Sequence, residues 1–366
     1  METVFMLSFA DILSDILAAL GVVLNGIPQG LLALSYGFAS IPTGIGFVVG
    51  AVACMALGSV APISFQAETI VLAGTMGKNL RERLSMILYA GLIMVALGLT
   101  GTLSFIVDLA GDTVINAMMA GVGILLAKIA LEGLKKNKLV TGTSLISAIL
   151  VYFFLGNNLV LTIIISVVVS SIVAKIAKQD IGGGITDEVK KLKLVKPTFN
   201  LNILRGALAL ACLTIGANIA FGSITAGMTE GMAVNIDHLT VYSGLADAVS
   251  GLFGGGPVEA IISATAAAPH PVTAGVIMML IMAAILFLRL LPKIGKYVPS
   301  ESIFGFLFIL GAVVTVPVNA GIAFGGTIPG NAIVAGVTLV VTAGSDPFFG
   351  LVSGTALRYL FEAGII

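Results

Sequence analysis

Seven apolar runs follow one another between residues 10 and 174, separated only by short turns, and after one polar stretch seven more continue to residue 364. The first set lies near 10 to 36, 41 to 58, 62 to 77, 84 to 107, 113 to 134, 141 to 155 and 157 to 174. The second lies near 203 to 228, 238 to 253, 257 to 270, 271 to 291, 300 to 318, 320 to 343 and 346 to 364. About 20 apolar residues in a helix cross a bilayer core, so this pattern commits the chain to a multi-pass membrane protein. Charge agrees, because only 10% of the 366 residues are charged, against about 25% where water must be faced. Fourteen crossings use roughly 280 residues. That leaves no room for an appended soluble catalytic domain, and the chain is not read as an enzyme. A net charge of zero offers nucleic acid no electrostatic footprint.

The polar stretch from Lys175 to about Asn202, containing GGGITDEVKKLKLVK, divides the chain near its midpoint. The expected organisation is a first repeat over 1–175, a linker over 176–202 and a second repeat over 203–366. Basic residues fix which loops share a side. Lys78, Arg81 and Arg83; Lys135, Lys136 and Lys138; Lys175, Lys178, Lys190, Lys191, Lys193, Lys196 and Arg205; and Arg289, Lys293 and Lys296 all fall on one predicted face. Lysine- and arginine-rich short loops stay in the cytoplasm, so that face is expected to be cytoplasmic and both termini outside. Only Arg358 and the intramembrane Lys128 break the pattern, and Lys128 is read as snorkelling towards Lys135. Seven spans per half send the second half into the membrane upside down relative to the first, the condition for an inverted repeat.

The third and tenth spans are short and begin alike, as LGSVAPISFQAETIVLAG from Leu57 and LFGGGPVEAIISATAAA from Leu252. In each a glycine-containing extended stretch leads into proline, Pro62 or Pro257, and proline suits the first turn of a helix. The reading is a strand followed by a half-helix in each, with Pro62, Gly256 and Pro257 marking the half-helix starts. The fold class is therefore all-α integral membrane, about fourteen segments in a seven-plus-seven inverted repeat, broken in spans three and ten. Irregular backbone at membrane depth is tolerated only where protein buries it or a cavity hydrates it, so paired breaks point to a central site.

Carboxylates far from an interface mark such a site, because each is costly in lipid unless paired or hydrated. Glu68 falls near the middle of the third span, Asp247 within the ninth and Glu259 at the start of the tenth. Four residues apart, Glu259 and Ser263 would stack on one face of the tenth half-helix, where an acid also favours the helix dipole. Ser64, Gln66 and Glu68 would line the matching half-helix, and the eighth span would add Asn218, Ser223 and Thr225. Phe65 and Phe221 would supply ring contacts. A small planar ligand with NH and C=O edges suits this lining. Neither glycine triplet carries the Lys-Ser/Thr of a phosphate loop. Cys54 and Cys212 lie inside apolar runs without a partner motif, so no metal and no cofactor are expected. His238 and His270 read as interfacial residues. Glu2, Asp11 and Asp15 lie before or at the start of the first run and no basic residue precedes Lys78, so that run is expected to be retained as a span.

The stretch GLADAVSGLFGGGPVEAIISATAAA from Gly244 resembles the ninth-to-tenth span signature of the nucleobase/cation symporter superfamily, which includes the xanthine/uracil permeases. NAMMAGVGILLAKIALEGLKK from Asn116 resembles the fifth span of its guanine/hypoxanthine permease branch. GVVLNGIPQGLLALSYGFASIPTGIG from Gly21 is similar instead to the first two spans of sulfate permeases, which share the seven-plus-seven fold. The resemblance implies core and gate domains interleaving both repeats, with substrate between the third and tenth half-helices and the eighth span. It also implies proton or sodium coupling and cytoplasmic termini, opposite to the placement the basic loops give. Nucleobase permeases place acids where this chain has Asn218 and Ser263, with Glu259 one turn earlier. The expected function is a plasma-membrane secondary permease for a nucleobase such as a purine or uracil. An anion transporter of the sulfate permease type and a non-transporting membrane protein of the same fold are the alternatives, and a homodimer is left open.

Overall fold

The computed structural model describes residues 9–179, 185, 194–229 and 234–366, leaving aside the side chains of Ser104 and Ser223. About half of the expected polar linker, including Lys190, Lys191 and Lys193, lies outside the described residues, as does Glu2. In chain order the first half forms α1 (Phe9–Ser35), α2 (Ser40–Leu57), β1 (Ile63–Ser64), α3 (Ala67–Met76), α4 (Leu80–Thr100), α5 (Leu103–Lys136), α6 (Lys138–Phe154) and α7 (Leu159–Ile176). The second forms α8 (Leu201–Gly227), α9 (Ile236–Phe253), β2 (Glu259–Ala260), a 3₁₀ turn (Ala264–Ala267) and α10 (Pro271–Phe287). It continues with α11 (Leu290–Gly295), α12 (Phe304–Phe308), α13 (Val316–Phe324), α14 (Asn331–Gly344) and α15 (Pro347–Glu362). Seven helical stretches among the described residues are long and apolar enough to cross a bilayer. The protein is an all-α, multi-pass membrane protein of the inverted-repeat class, and its spans follow the predicted runs with shifted ends.

Two shifts have local causes. The fourth span ends at Thr100, not 107, because Gly101 adopts the left-handed conformation (φ 64°) and turns its amide back onto the helix. A break expected between 318 and 320 is absent, and the helix runs on from Ser300 to Phe324. A π-helical stretch, Ile309–Thr315, precedes Pro317 and accommodates the missing amide, so the chain turns only at the Gly325–Gly330 segment.

Glycines set how closely the helices approach. A methyl group added to Gly91 of α4 would lie 2.5 Å from the Gly244 carbonyl oxygen of α9, and one added to Gly244 would lie 2.7 Å from that of Gly91. Gly98 meets the Asp237 carbonyl and Gly251 the Leu84 carbonyl in the same way, so the two helices run antiparallel with their backbones touching. In lipid, where apolar burial does not drive helices together, such small-residue seams supply the packing.

The basic loops gather on one face. Arg81 Nε donates to the Lys196 carbonyl at 2.8 Å, and Asn137 Nδ2 to Gln179 Oε1 at 3.4 Å. Arg205 Nε contacts Asp346 Oδ2 at 2.6 Å, adding the α14–α15 turn to that side. Arg358 belongs to the other face and has its own task. Gly111 interrupts α5 with φ 74°, and Arg358 Nη1 donates to the carbonyls of Asp108 and Leu109, at 3.2 and 3.4 Å, that the break frees. Lys128 is exposed on α5 one turn from Glu132.

Candidate functional site

The two broken spans meet. Strands β1 and β2 pair antiparallel, Ile63 opposite Ala260 and Ser64 opposite Glu259, so equivalent segments of the two halves cross inside the protein. A two-residue strand holds its backbone only if its approaches are also satisfied. Tyr242 of α9 donates its hydroxyl to the Ala61 carbonyl and contacts Ser59 Oγ at 3.0 Å, fixing the approach to β1. Thr43 Oγ1 of α2 accepts from the Gly256 amide at 2.8 Å, and Ser250 Oγ donates to the Gly256 carbonyl at 2.6 Å, fixing the approach to β2. The second span thus braces the tenth, and the ninth braces the third.

This geometry corrects the expected half-helix starts. Pro62, Gly256 and Pro257 stand in extended chain before the strands, and α3 begins only at Ala67, after Gln66 in its cap position. Proline at the edge of a short strand gives up no ladder bond, which satisfies the same residue preference by another route. Glu259 lies on β2 rather than at a helix start, so neither the helix dipole nor stacking on Ser263 applies to it. Beyond β2 the tenth span makes one 3₁₀ turn and no α-helix. Pro269 and Pro271 follow closely, and Ala268 before the first takes the extended conformation (ψ 160°) that proline imposes on its predecessor.

Each predicted residue has a definite place. Ser64 is buried, with its hydroxyl against Gly26 of α1 and no hydrogen-bond partner. Gln66 donates Nε2 to the Ala260 carbonyl at 2.9 Å, a bond across 194 positions that ties α3 to β2. Glu68 falls in the first turn of α3, buried, with Oε2 unpartnered. Glu259 accepts from Thr214 Oγ1 at 2.7 Å through Oε1, its side chain also meets Asp247, and its Oε2 is unpartnered. Asp247 Oδ1 accepts from the Val258 amide at 2.7 Å. Asn218 turns its amide nitrogen to Thr240 and Ser243 of α9, at 3.1 and 3.3 Å, leaving Oδ1 unpartnered.

Three predicted residues are used elsewhere. Ser263 caps the 3₁₀ turn, accepting from the Thr265 amide at 3.3 Å and pairing with the Thr265 hydroxyl at 2.6 Å. Phe65 packs edge-on against Phe47, with centroids 5.3 Å apart, and against Gly30. Phe221 packs half-buried against the main core. Ser223 lies outside the described side chains, and Thr225 donates to the Ile261 carbonyl at 3.0 Å.

Sequence reasoning missed the contribution of α1. Asn25 and Gln29, one helical turn apart, each bury a side-chain oxygen with no partner, and Gly26 between them lies against the Ser64 hydroxyl. Two amides in an otherwise apolar run were the available signal. It also missed Thr214, and Asp15, which pairs with His270 Nδ1 at 2.9 Å and accepts from the His270 amide at 3.0 Å. Taken together, the amino end of α3 carries no side-chain cap and offers amide donors. Ser64, two residues before the cap, and Glu68, in the first turn, each bury an oxygen whose hydrogen-bonding capacity is unused.

No known family profile matches the sequence. No curated protein matches it either. Solved structures share the fold. The transmembrane domain of the cyanobacterial bicarbonate transporter BicA aligns with a TM-score of 0.64 at 18% identity, covering 95% of this chain and 98% of that one. Murine Solute Carrier 26 family member A9, described as an anion transporter in the inward-facing state, aligns with a TM-score of 0.72 at 14% identity, over 98% of this chain and 69% of that one. A second structure of SLC26A9 gives 0.73 at 13% identity, over 97% and 66%.

Proposed function

We propose that the chain is a secondary transporter of the cell membrane that moves a small anion by alternating access, holding it at the amino end of α3 beside the strand pair. One observation carries the reading: Gln66, in the cap position, commits its amide to the Ala260 carbonyl, so no cap side chain takes the first-turn donors of α3, and only Glu68's own carboxylate meets one of them. A helix start with such donors and a favourable dipole suits an anion. The fold supports the same reading, since its neighbours are described as bicarbonate and anion transporters. They favour the sulfate permease arm of the expected functions over the nucleobase arm.

Ser64, Gln66, Glu68 and Asn218, with Asn25 and Gln29, line the site in this reading, and Glu259 with Thr214 and Asp247 forms its braced wall. Glu68 sets the coupling. Its carboxylate occupies the turn whose donors an anion needs, and two negative charges so close repel. A proton taken up with the anion removes that conflict, so proton-coupled uptake is the form of transport proposed.

Reconstituted full-length protein tests this. Proteoliposomes should take up radiolabelled bicarbonate, sulfate or chloride saturably and above empty vesicles, and Ser64→Leu should lower that uptake about tenfold or more. Uptake of xanthine or uracil with none of any anion would return the substrate to the nucleobase class. Absence of flux with every solute would remove transport altogether.

A further inference from the structure

A groove of about 780 Å³ opens between α1, α7 and α11, with no residue of the strand pair in its lining. Its inner wall is apolar, including Val168 and Ile172 of α7 and Ile294 of α11, all three about half exposed. Its mouth is basic, with Lys175 in the last turn of α7 and Lys293 in α11, and Tyr297 stands exposed beside them. From Lys175 to Ile164, also on the lining, the helix rises roughly 16 Å, from the basic face deep into the apolar layer.

We infer that this groove is a binding site for an anionic glycerophospholipid of the leaflet on the basic face. The apolar wall takes an acyl chain, and the two lysines, from separate elements, converge on the phosphate. No carboxylate lines the groove among the described residues, so the two ammonium groups have no counterion of the protein's own there. An anionic head group supplies it, whereas a zwitterionic one brings a cation of its own to the same mouth. Juxtamembrane lysines attract anionic lipid, and their long stems let the charge reach the head-group level. Tyr297, whose ring lies 4.7 Å from Lys296 Nζ, is the amphipathic aromatic expected at that depth. A free phosphate would use the lysines and leave the apolar wall idle.

Native mass spectrometry of the purified full-length chain in neutral detergent tests the site, with phosphatidylglycerol and phosphatidylcholine of identical acyl chains as probes. The unaltered chain should retain phosphatidylglycerol about tenfold over phosphatidylcholine. The double substitution Lys175→Gln with Lys293→Gln should bring the two lipids to parity. Val168→Trp, which fills the wall, should lower retention of both lipids while the lysines remain. Should the double variant fail to stay monodisperse, Lys175→Arg with Lys293→Arg takes its place and should keep the preference. Parity on the unaltered chain, a preference that survives loss of both lysines, or displacement of the lipid by equimolar inorganic phosphate would each overturn the inference.

Discussion

Thr214 of α8 donates its hydroxyl to Glu259 of β2 at 2.7 Å, and this bond anchors one of the two crossing strands to a full-length helix. The other oxygen of Glu259 is buried without a partner. Removing the donor while keeping the acid therefore leaves a carboxyl group buried with less compensation, which costs more than the bond itself contributes. Thr214→Val should destabilise the protein by about 1–3 kcal/mol, read as a lower unfolding midpoint in detergent. The double variant Thr214→Val with Glu259→Gln should lose less than the two single losses summed. Strict additivity would show that the two residues are not coupled.

Glu68 tests the coupling proposed for transport. If its carboxylate contends with the anion for the first-turn donors of α3, uptake by the native chain rises as pH falls, because protonation removes the contending charge. Glu68→Gln, neutral at every pH, should keep uptake while flattening its pH profile. A variant whose profile retains the native slope would assign the proton to another group.

Asp15 holds His270 twice, through the ring at 2.9 Å and through the backbone amide at 3.0 Å, where α10 begins. The two bonds can be separated. Asp15→Asn keeps an oxygen for the amide and gives up the carboxylate that faces the ring, whereas Asp15→Ala loses both. A hydrogen bond of this kind contributes about 1 kcal/mol, so the alanine variant should unfold at a lower temperature than the asparagine variant, and both below the native chain. Equal midpoints for the two variants would mean that the amide bond contributes nothing.

Much of the architecture was legible because lipid makes sequence rules strict. Apolar run length gave the spans, and the basic residues gave a face that contacts such as Arg81 to Lys196 and Arg205 to Asp346 then bring together. Even the exception was informative, since Arg358 stands apart to serve the break at Gly111. The interior of the broken spans was less legible. Pro257 obeys one local preference at a helix start and another at a strand edge, and only the partner strand, nearly 200 residues away, decides between them. Glu259 therefore moved from helix to strand, and Ser263 from the site to a cap. Asn25 and Gln29 are not legible as site residues because amides in an apolar run gain meaning only from what they face. The seven-residue spacing of Gly91 and Gly98, matched by Gly244 and Gly251, was present in the sequence as an unread packing signal.

That spacing carries the last prediction. Seven residues are two helical turns, so each glycine pair lies along one stripe of its helix, and the two stripes face each other with carbonyl oxygens 2.5 to 3.1 Å from where a methyl would stand. Neither obstacle is a side chain that can swing away, because both are backbone. Gly91→Ala should therefore push α4 from α9 rather than be absorbed, at a cost of about 1–3 kcal/mol for overpacking, visible as a lower unfolding midpoint. Gly336 of α14 has open space where its methyl would go. Gly336→Ala, which should hold or raise the midpoint through helix propensity, is the matched control. If Gly91→Ala behaves like the control, the α4–α9 seam tolerates separation and the bracing of β1 through Tyr242 of α9 does not depend on it. If it also lowers solute uptake in proteoliposomes, the seam is the element that carries helix spacing to the strand pair.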